Sequence, residues 1–218
     1  MIYETAAGAT TTAFNLYIEI ADNGETYSGD GTSGVYIFGA QLEELAYPTS
    51  FIYDGTEGST TTRAADQINN ISGTFNSSGG VFVCEMSALY DDLTERAISV
   101  SDGTNANRVK LYYSTTTNQL VALLDSNSVN QATITYTLTD ETQYSKIAFR
   151  YYTDDFKLFV DGAIVGTPVT SGSTFPHGTL TEYSFDEGDG TSDFYGRMKS
   201  SYIISGYKTD TQCINLTK

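Results

Sequence analysis

The stretch DFKLFVDGAIVG, residues 155–166, decides the fold. Phe156, Leu158 and Val160 lie two positions apart, so their side chains share one face of an extended strand. The Asp-Gly pair at 161–162 predicts a tight β-hairpin, because both residues tolerate the positive φ that such a turn requires. The stretch therefore predicts two antiparallel strands that share an apolar face.

The same alternation recurs along the chain. QATITYTLTD at 131–140 places apolar or aromatic residues between threonines, and KIAFRYY at 146–152 repeats the pattern. Further strands are predicted at Val81–Ala88, Ala97–Val100, Arg108–Tyr113, Leu120–Leu124, Leu180–Phe185 and Arg197–Ser205. Short strands separated by Gly, Asn and Asp are typical of an all-β antiparallel sandwich, which is the fold class that we expect.

The composition sets the broad class of protein. The chain has 218 residues, 39% of them hydrophobic, which suffices for a domain with a core of its own. Its 27 acidic and 11 basic residues give a net charge of −16, so we expect neither nucleic acid nor an anionic membrane as a partner. No apolar run approaches the ~20 residues needed to span a bilayer. The N-terminus also lacks the pattern of a signal peptide, which predicts synthesis in the cytoplasm if Met1 is the true start.

The N-terminal part predicts only two strands, roughly Ala13–Ile20 and Val35–Leu42. Two strands alone cannot bury a core in water. They are therefore expected to pack on the rest of the chain, on a second copy or on another protein. The aromatic residues in and after the second strand are the candidates for assembly contacts: Tyr36, Phe38, Tyr47, Phe51 and Tyr53.

Two parts of the sequence resemble known families. Residues 27–66 are similar to a segment of structural and tail-fibre-like proteins of tailed bacteriophages, on motifs at Gly29–Gly34, Gly39–Glu43, Pro48–Ile52 and Thr62–Asp66. Residues 67–218 resemble the laminin-G-like, concanavalin A-like lectin/glucanase sandwich, and the 155–166 hairpin is its best mark. The resemblance implies a jelly-roll sandwich at 67–218. It also implies an N-terminal attachment segment at 1–66, made of partial jelly-roll strands and an extended strap.

The resemblance also implies a function. It predicts a non-enzymatic virion structural protein, namely a capsid decoration, fibre or tail-associated subunit that is mounted by its N-terminal segment. Its partners would be other virion proteins and copies of itself, with a trimer favoured, and its location would be the virion after synthesis in the host cytoplasm. The alternative is a carbohydrate-binding adhesin that recognises host surface glycan. Both roles can coexist in one protein.

Catalytic groups are scarce in the sequence. Retaining glycoside hydrolysis needs two carboxylates ~5 Å apart, and a strand that carries both would place them on one face. Glu85 stands alone in its strand, and Asp91, Asp92 and Glu95 fall in a predicted turn. The single histidine, His177, lies in a Pro/Gly turn that offers no Ser-His-Asp arrangement. We therefore expect no enzymatic activity.

Outward tyrosines are the candidates for sugar contact. The adjacent pairs at 112–113 and 151–152 lie in predicted strands, so one member of each pair must face away from the core. Such rings can serve as platforms for glycan, as subunit contacts or as ordinary surface. The glycan-binding candidates are Tyr112, Tyr152, Asn105 and Asn107.

A calcium site is the one cofactor that the sequence suggests. Calcium takes six to eight oxygen ligands, and FDEGDGTSD at 185–193 supplies Asp186, Glu187, Asp189 and Asp193 on a turn. A second turn, SDGTNAN at 101–107, supplies Asp102, Asn105 and Asn107. Neither spacing is that of an EF-hand, and the alternative is a solvated acidic turn.

The C-terminal stretch contains a possible helix and one of the two cysteines of the chain. TDTQCINLT at 209–217 resembles a short helix of relatives, but Gln-Cys-Ile at its centre is a weak helix former, which argues against a helix. Cys84 lies in a strand-like run and Cys213 near the end of the sequence. They are either a buried free thiol and an incidental one, or a disulfide, because distance along the sequence does not decide the matter.

Overall fold

The computed structural model describes Thr32, Gln67–Ile68 and residues 76–218. The elements below belong to the unit Thr62–Lys218. The predicted N-terminal strands lie outside the described residues, so their packing stays a prediction. The same holds for the division at residues 66 and 67 and for the five assembly candidates, Tyr36, Phe38, Tyr47, Phe51 and Tyr53.

The described residues form eleven strands and one short helix, in two antiparallel sheets. The strands are β1 (Gln67–Ile68), β2 (Gly80–Ala88), β3 (Arg96–Ser101), β4 (Arg108–Tyr113), β5 (Gln119–Ser126), β6 (Val129–Thr137), β7 (Ser145–Tyr152), β8 (Asp155–Val160), β9 (Ala163–Val169), β10 (Glu182–Ser184) and β11 (Gly196–Ser205). The six-stranded sheet has the order β1-β10-β3-β4-β5-β6, and the five-stranded sheet has the order β11-β2-β7-β8-β9. The predicted antiparallel β-sandwich is confirmed.

The 155–166 hairpin forms as predicted and helps to close the sandwich. Asp161 and Gly162 take φ values of 47° and 82°, and Val160 pairs with Ala163 across the turn. Further along β9, Gly166 has a φ of 67°, and a β-carbon there would lie 2.5 Å from Cγ2 of Ile134. This close approach brings the edge of the five-stranded sheet against β6 of the other sheet, and it requires glycine.

The core lies between the two sheets. Tyr113 and Tyr151 are buried in it, whereas Tyr112 and Tyr152 are half-buried on the outer sides, which confirms that one tyrosine of each pair faces away. The Tyr113 hydroxyl donates to the Met86 carbonyl oxygen at 3.3 Å, so the buried phenol keeps a partner. The largest fully buried apolar and aromatic side chains include Phe82, Phe149, Phe156, Leu111 and Leu120.

The C-terminal helix α1 (Asp210–Leu216) exists, and the argument against it was wrong. Thr209 and Gln212 form a capping box, in which Gln212 N donates to Thr209 Oγ1 and Thr209 N donates to Gln212 Oε1. Buried Cys213 packs with strand residues of the five-stranded sheet, and Ile214 and Leu216 pack against the same cluster. Capping and tertiary packing thus outweigh weak intrinsic propensity. In the described part of the chain, no helix is long and apolar enough to cross a membrane.

The structure also decides two smaller predictions, the bounds of the strand near residue 180 and the pairing of the cysteines. β10 is shorter than the predicted Leu180–Phe185, because the Leu180 amide donates to Ser77 Oγ at 3.2 Å rather than to a neighbouring strand. Cys84 and Cys213 are both free and buried. Cys84 points into the core between the sheets. Cys213 belongs to α1 and packs on the outer face of the five-stranded sheet, which explains why the two cysteines do not pair.

Candidate functional site

The central strand β4 divides its side chains between the core and the outer face. Val109, Leu111 and Tyr113 point inward, and the alternation therefore turns Arg108, Lys110 and Tyr112 outward. We call these three outward residues, with the side chains that contact them, the β4 face. Because β4 lies between β3 and β5, this face is at the middle of the six-stranded sheet.

The loop 185–195 folds over one side of the β4 face. Gly188 lies against Ser101 of β3, where an added β-carbon would be 3.0 Å from the serine Cβ. Glu187 Oε2 accepts from Lys110 Nζ at 2.8 Å and from Arg108 Nη1 at 3.2 Å. Burial acts to raise the pKa of Glu187, but these hydrogen bonds and charges outweigh it and lower the pKa to about 2. The loop is therefore fixed to the sheet by a carboxylate that stays ionised.

The cations of the β4 face are neutralised within the fold. Arg108 Nε bonds Asp125 Oδ2 at 3.0 Å, and Lys110 Nζ bonds Glu95 Oε1 at 2.7 Å. With Glu187, three carboxylates therefore surround two cations. The face carries a local excess of negative charge, and neither cation is left to attract an anion.

The loops that carry the two predicted sites meet beside this face. Asn105 Nδ2 donates to Asp189 Oδ2, and Asn105 Oδ1 accepts from Arg108 Nη1. Asn107 lies in the same loop, but its amide donates to Asp102 at 2.8 Å and accepts from the Asn127 amide at 2.9 Å. The structure thus brings Asn105 and Asp189 next to the β4 face, whereas Asn107 holds two turns together.

Tyr112 is the aromatic group of the β4 face. Lys110 Nζ lies 4.1 Å from its ring centroid, within the range of a cation–π contact. Burial, followed by the charge of Glu95, raises the pKa of Tyr112, so the phenol is neutral and can both donate and accept. The next outward positions on β5 and β6 are Val121, Leu123, Thr133 and Thr135. Val121 is buried, Leu123 is half-buried and the two threonines are exposed.

Tyr152 lies on the opposite side of the molecule. It projects from the outer face of the five-stranded sheet, where its ring meets Tyr207 edge-on at 5.4 Å and packs over Gly79. The structure therefore separates Tyr152 from Tyr112, and the two rings cannot contact the same sugar residue. Their roles in glycan binding stay predictions.

The three calcium candidates lie in the 185–195 loop but face different partners. Asp186 is buried and accepts from Gly188 N at 2.5 Å and Gln67 Nε2 at 3.4 Å. Asp189 is exposed and accepts from Thr191 as well as Asn105. Burial and the charge of Asp186 raise the pKa of Asp193. Among the described residues, no group of three or more His, Cys, Asp or Glu side chains could hold a metal ion, and calcium binding stays a prediction.

The pair of carboxylates at Lys110 does not suit glycoside hydrolysis. Glu95 and Glu187 bond the same ammonium, so they lie close together. In a glycosidase pair one carboxyl, with a raised pKa, donates a proton, and the other acts as an ionised nucleophile or base. The lowered pKa of Glu187 excludes it as the proton donor, and both carboxylates are already bound to the Lys110 ammonium. The arrangement is that of an ionic bridge.

Arg108 and Lys110 are not among the predicted site residues. A signal for them is present, because RVKLYY alternates two cations and a tyrosine with core residues in a chain that has few basic residues. Glu187 belongs to the predicted calcium turn, but nothing in the sequence links it to Lys110, which is 77 residues away along the chain.

The described residues define the class of an antiparallel β-sandwich. No protein-family model and no curated protein matches the chain. Among solved structures, the carbohydrate-binding module CBM40 of Ruminococcus gnavus IT-sialidase matches with a TM-score of 0.55 and 15% identity, over 72% of this chain and 97% of that chain. The same module bound to α2,6 sialyllactose matches at 14% identity with equal coverage and TM-score.

Two further solved structures are similar. A leech intramolecular trans-sialidase matches with a TM-score of 0.53 and 13% identity, over 72% of this chain and 28% of that chain. Galectin-Ib of Xenopus laevis matches with a TM-score of 0.41 and 16% identity, over 64% of this chain and 99% of that chain. Likeness at these identities shows the fold alone. The resemblance to phage proteins and to laminin-G domains stays a prediction.

Proposed function

We propose that this protein is a non-enzymatic, lectin-like module that binds glycan on its β4 face. The observation that carries the proposal is Tyr112, a half-buried outward ring on the central strand. It shares its sheet face with Thr135, two strands away on β6, and with Arg108, which bonds the Asn105 that pairs with Asp189. Protein sites for sugars combine an aromatic face with amide, hydroxyl and carboxylate groups. The shared fold with a carbohydrate-binding module supports this proposal over a purely structural role.

The charges of the β4 face favour a neutral glycan. Arg108 and Lys110 are already bound by Asp125, Glu95 and Glu187. An acidic sugar would meet this excess of carboxylates in a chain of net charge −16, and repulsion would oppose its binding. A neutral sugar instead can use Tyr112 and the uncharged hydroxyl and amide groups.

The test is a glycan array probed with the full chain and with Tyr112→Ala. We expect retention on neutral glycans and about a fivefold loss of affinity in the variant, since an aromatic contact contributes on the order of 1 kcal/mol. Tyr90→Ala is the matched control, because Tyr90 is an exposed tyrosine outside the β4 face. Absence of binding to any neutral glycan, or equal losses in both variants, would refute the proposal.

A virion structural subunit is the second candidate function. The motifs at Gly29–Gly34, Gly39–Glu43, Pro48–Ile52 and Thr62–Asp66 favour it, because they resemble a segment of tail-fibre-like phage proteins. In this role the chain assembles through residues 1–66 as a homotrimer, lies on the capsid or tail, and displays the sandwich outward. Glycan binding by the β4 face is compatible with that role.

Assembly is tested on the full chain by native mass spectrometry. We expect trimers for the natural sequence and monomers for the double variant Tyr47→Asp, Phe51→Asp, because a buried charge without a partner disrupts an apolar contact. Tyr90→Asp, in the sandwich, is expected to leave the trimer intact. A natural sequence that stays monomeric at all concentrations rules the second candidate out.

A further inference from the structure

The outer face of the five-stranded sheet is only partly covered by α1. Cys213 and its helical neighbours cover Val83 and Phe159. Beside the end of the helix, near Leu216, the faces of β11, β2 and β7 leave a depression of about 190 Å³, lined in part by Glu85, Lys146 and Tyr202. We call it the β11 depression. It lies on the opposite sheet from the β4 face.

Cationic side chains dominate the surroundings of the β11 depression. Lys146 lines it, Lys199 pairs with its Glu85 at 2.6 Å, and Arg197 lies two residues before Lys199 on β11, where it pairs with Ser87. Three cations thus accompany two carboxylates, Glu85 and Asp161, whose Oδ1 accepts from the Lys146 amide at 2.8 Å. In a chain with 11 basic and 27 acidic residues, this local excess of positive charge makes the surface attractive to anions.

Several hydrogen-bond donors of this surface remain open to a ligand. Lys199 Nζ donates to Glu85, and Lys146 Nζ donates to the Lys218 carbonyl oxygen, but an ammonium has three donors. Arg197 is exposed and has no ion pair or hydrogen bond among the residues that the structure describes.

Aromatic rings complete the surroundings. Tyr202 is 44% exposed at the depression, and Tyr144, whose ring centroid is 4.0 Å from Lys199 Nζ, is 38% exposed. A tyrosine ring offers an apolar face for the C–H groups of a sugar and a hydroxyl for its oxygens. The small volume, below the roughly 300 Å³ of a typical ligand pocket, limits the occupant to a group of about one sugar ring.

We propose that the β11 depression binds a saccharide that carries an anionic substituent, either a carboxylate or a sulfate. The sugar ring lies on Tyr202, Ser200 and Glu85 bond its hydroxyls, and Lys146, Lys199 and Arg197 hold the anion. This site does not depend on glycan binding at the β4 face, because the two surfaces lie on different sheets. The β4 face favours neutral sugars, whereas the β11 depression favours anionic ones.

Amide NMR titration of the full chain tests this site with three probes. They are methyl β-D-glucuronide, the 6-sulfate of methyl β-D-glucoside, and unmodified methyl β-D-glucoside. We expect both anionic probes to shift the amides of Glu85, Lys146 and Tyr202 with at least tenfold higher affinity than the neutral probe. Equal affinity for the neutral probe, or no shift with either anionic probe, would overturn the proposal. Inorganic sulfate that shifts the same amides as strongly as the sugars would overturn recognition of the sugar ring.

Two variants separate the anion contact from the ring contact. The double variant Lys146→Gln, Arg197→Gln is expected to reduce affinity for both anionic probes about tenfold. Tyr202→Ala is expected to reduce affinity for both anionic sugars about tenfold and to leave the weak binding of inorganic sulfate unchanged. Lys208→Gln, which removes a lysine elsewhere, is expected to change affinity less than twofold. Undisturbed amide signals in the core show that each variant is folded. Full affinity in the Lys146→Gln, Arg197→Gln variant contradicts the proposal.

Discussion

Replacing Arg150 with alanine is expected to lower the free energy of unfolding by about 3 to 5 kcal/mol. The guanidinium is fully buried and bonds Asp155 Oδ1 at 2.8 Å and Asp210 Oδ1 at 2.7 Å. Burial acts to lower the pKa of Arg150, but the two aspartates outweigh it and raise the pKa, so the group stays charged. Its removal leaves Asp155 without its cation and leaves Asp210 with Lys157 alone.

The loss extends beyond the ion pairs, because Arg150 joins three parts of the fold. It donates to the Lys208 carbonyl oxygen at 2.8 Å, just before α1. Its guanidinium carbon lies 5.7 Å from the ring centroid of Phe159 and 5.0 Å from that of Tyr207. A cavity at this point therefore loosens the start of the helix together with the face of β7 and β8.

Urea unfolding at pH 7 measures the effect. Arg150→Lys is expected to cost less than the alanine variant, since it keeps a charge but cannot reach both aspartates in the same geometry. Lys157→Met removes a more exposed cation that also bonds Asp210, at 2.8 Å, and its cost is expected to stay below about 1 kcal/mol. An alanine variant that loses no more than the Lys157 variant would show that Arg150 does not hold the helix in place.

Arg150 also shows which part of the structure the sequence reveals. In KIAFRYY the alternation correctly places Phe149 and Tyr151 in the core and Arg150 on the outer face. The sequence shows the two-residue period of the strands and which positions are apolar or polar. These two properties suffice to predict the strands, the 155–166 hairpin and the sandwich. It contains no information on what covers the outer face, so an outward arginine gives no sign of its burial under α1.

The candidate site likewise contains features that the sequence pattern predicts and contacts that only the fold creates. Tyr112 is predicted to face outward, because its neighbour Tyr113 belongs to the core, and the prediction holds. The pairing of Asn105 with Asp189 joins residues 84 positions apart, and only the fold of the 185–195 loop over β3 and β4 brings them together. The helix α1 was missed for a related reason, since its stability depends on packing of Cys213 against another element.

Replacing Glu141 with glutamine is expected to stabilise the protein at pH 8. Glu141 is 3% exposed, and its Oε2 has no hydrogen-bond partner among the described residues. Burial, and then the negative charge of Asp91, raises the pKa of its carboxyl from 4.5 to about 7; Asp92 and Asp140 add to the rise, whereas Arg96 opposes it. The folded state therefore favours the protonated form.

The sign of the pH dependence follows from this shift. Below about pH 4.5 the carboxyl is protonated in both the folded and the unfolded chain, so it has no effect on stability. Between about pH 4.5 and 7 the unfolded chain releases its proton first, and the free energy of unfolding falls. Well above pH 7 the penalty is fully present, at about 3 kcal/mol, because each unit between 4.5 and 7 contributes ~1.4 kcal/mol. Glutamine has nearly the same shape and removes the penalty.

Urea unfolding of the natural sequence and of Glu141→Gln at pH 5, 6, 7 and 8 measures this difference. We expect the variant to gain about 3 kcal/mol at pH 8 and less than about 1 kcal/mol at pH 5. Asp140→Asn is the matched control: hydrogen bonds from Thr142 lower the pKa of Asp140, so its carboxylate stabilises the fold and its loss should destabilise the protein at pH 8.

The backbone bonds of residue 141 persist in the glutamine variant, because Ala88 N donates to its carbonyl oxygen at 2.8 Å and its amide donates to Asn118 Oδ1 at 2.9 Å. A gain that does not change between pH 5 and 8 would mean that Glu141 keeps an ordinary pKa and that packing, not ionisation, separates the two proteins.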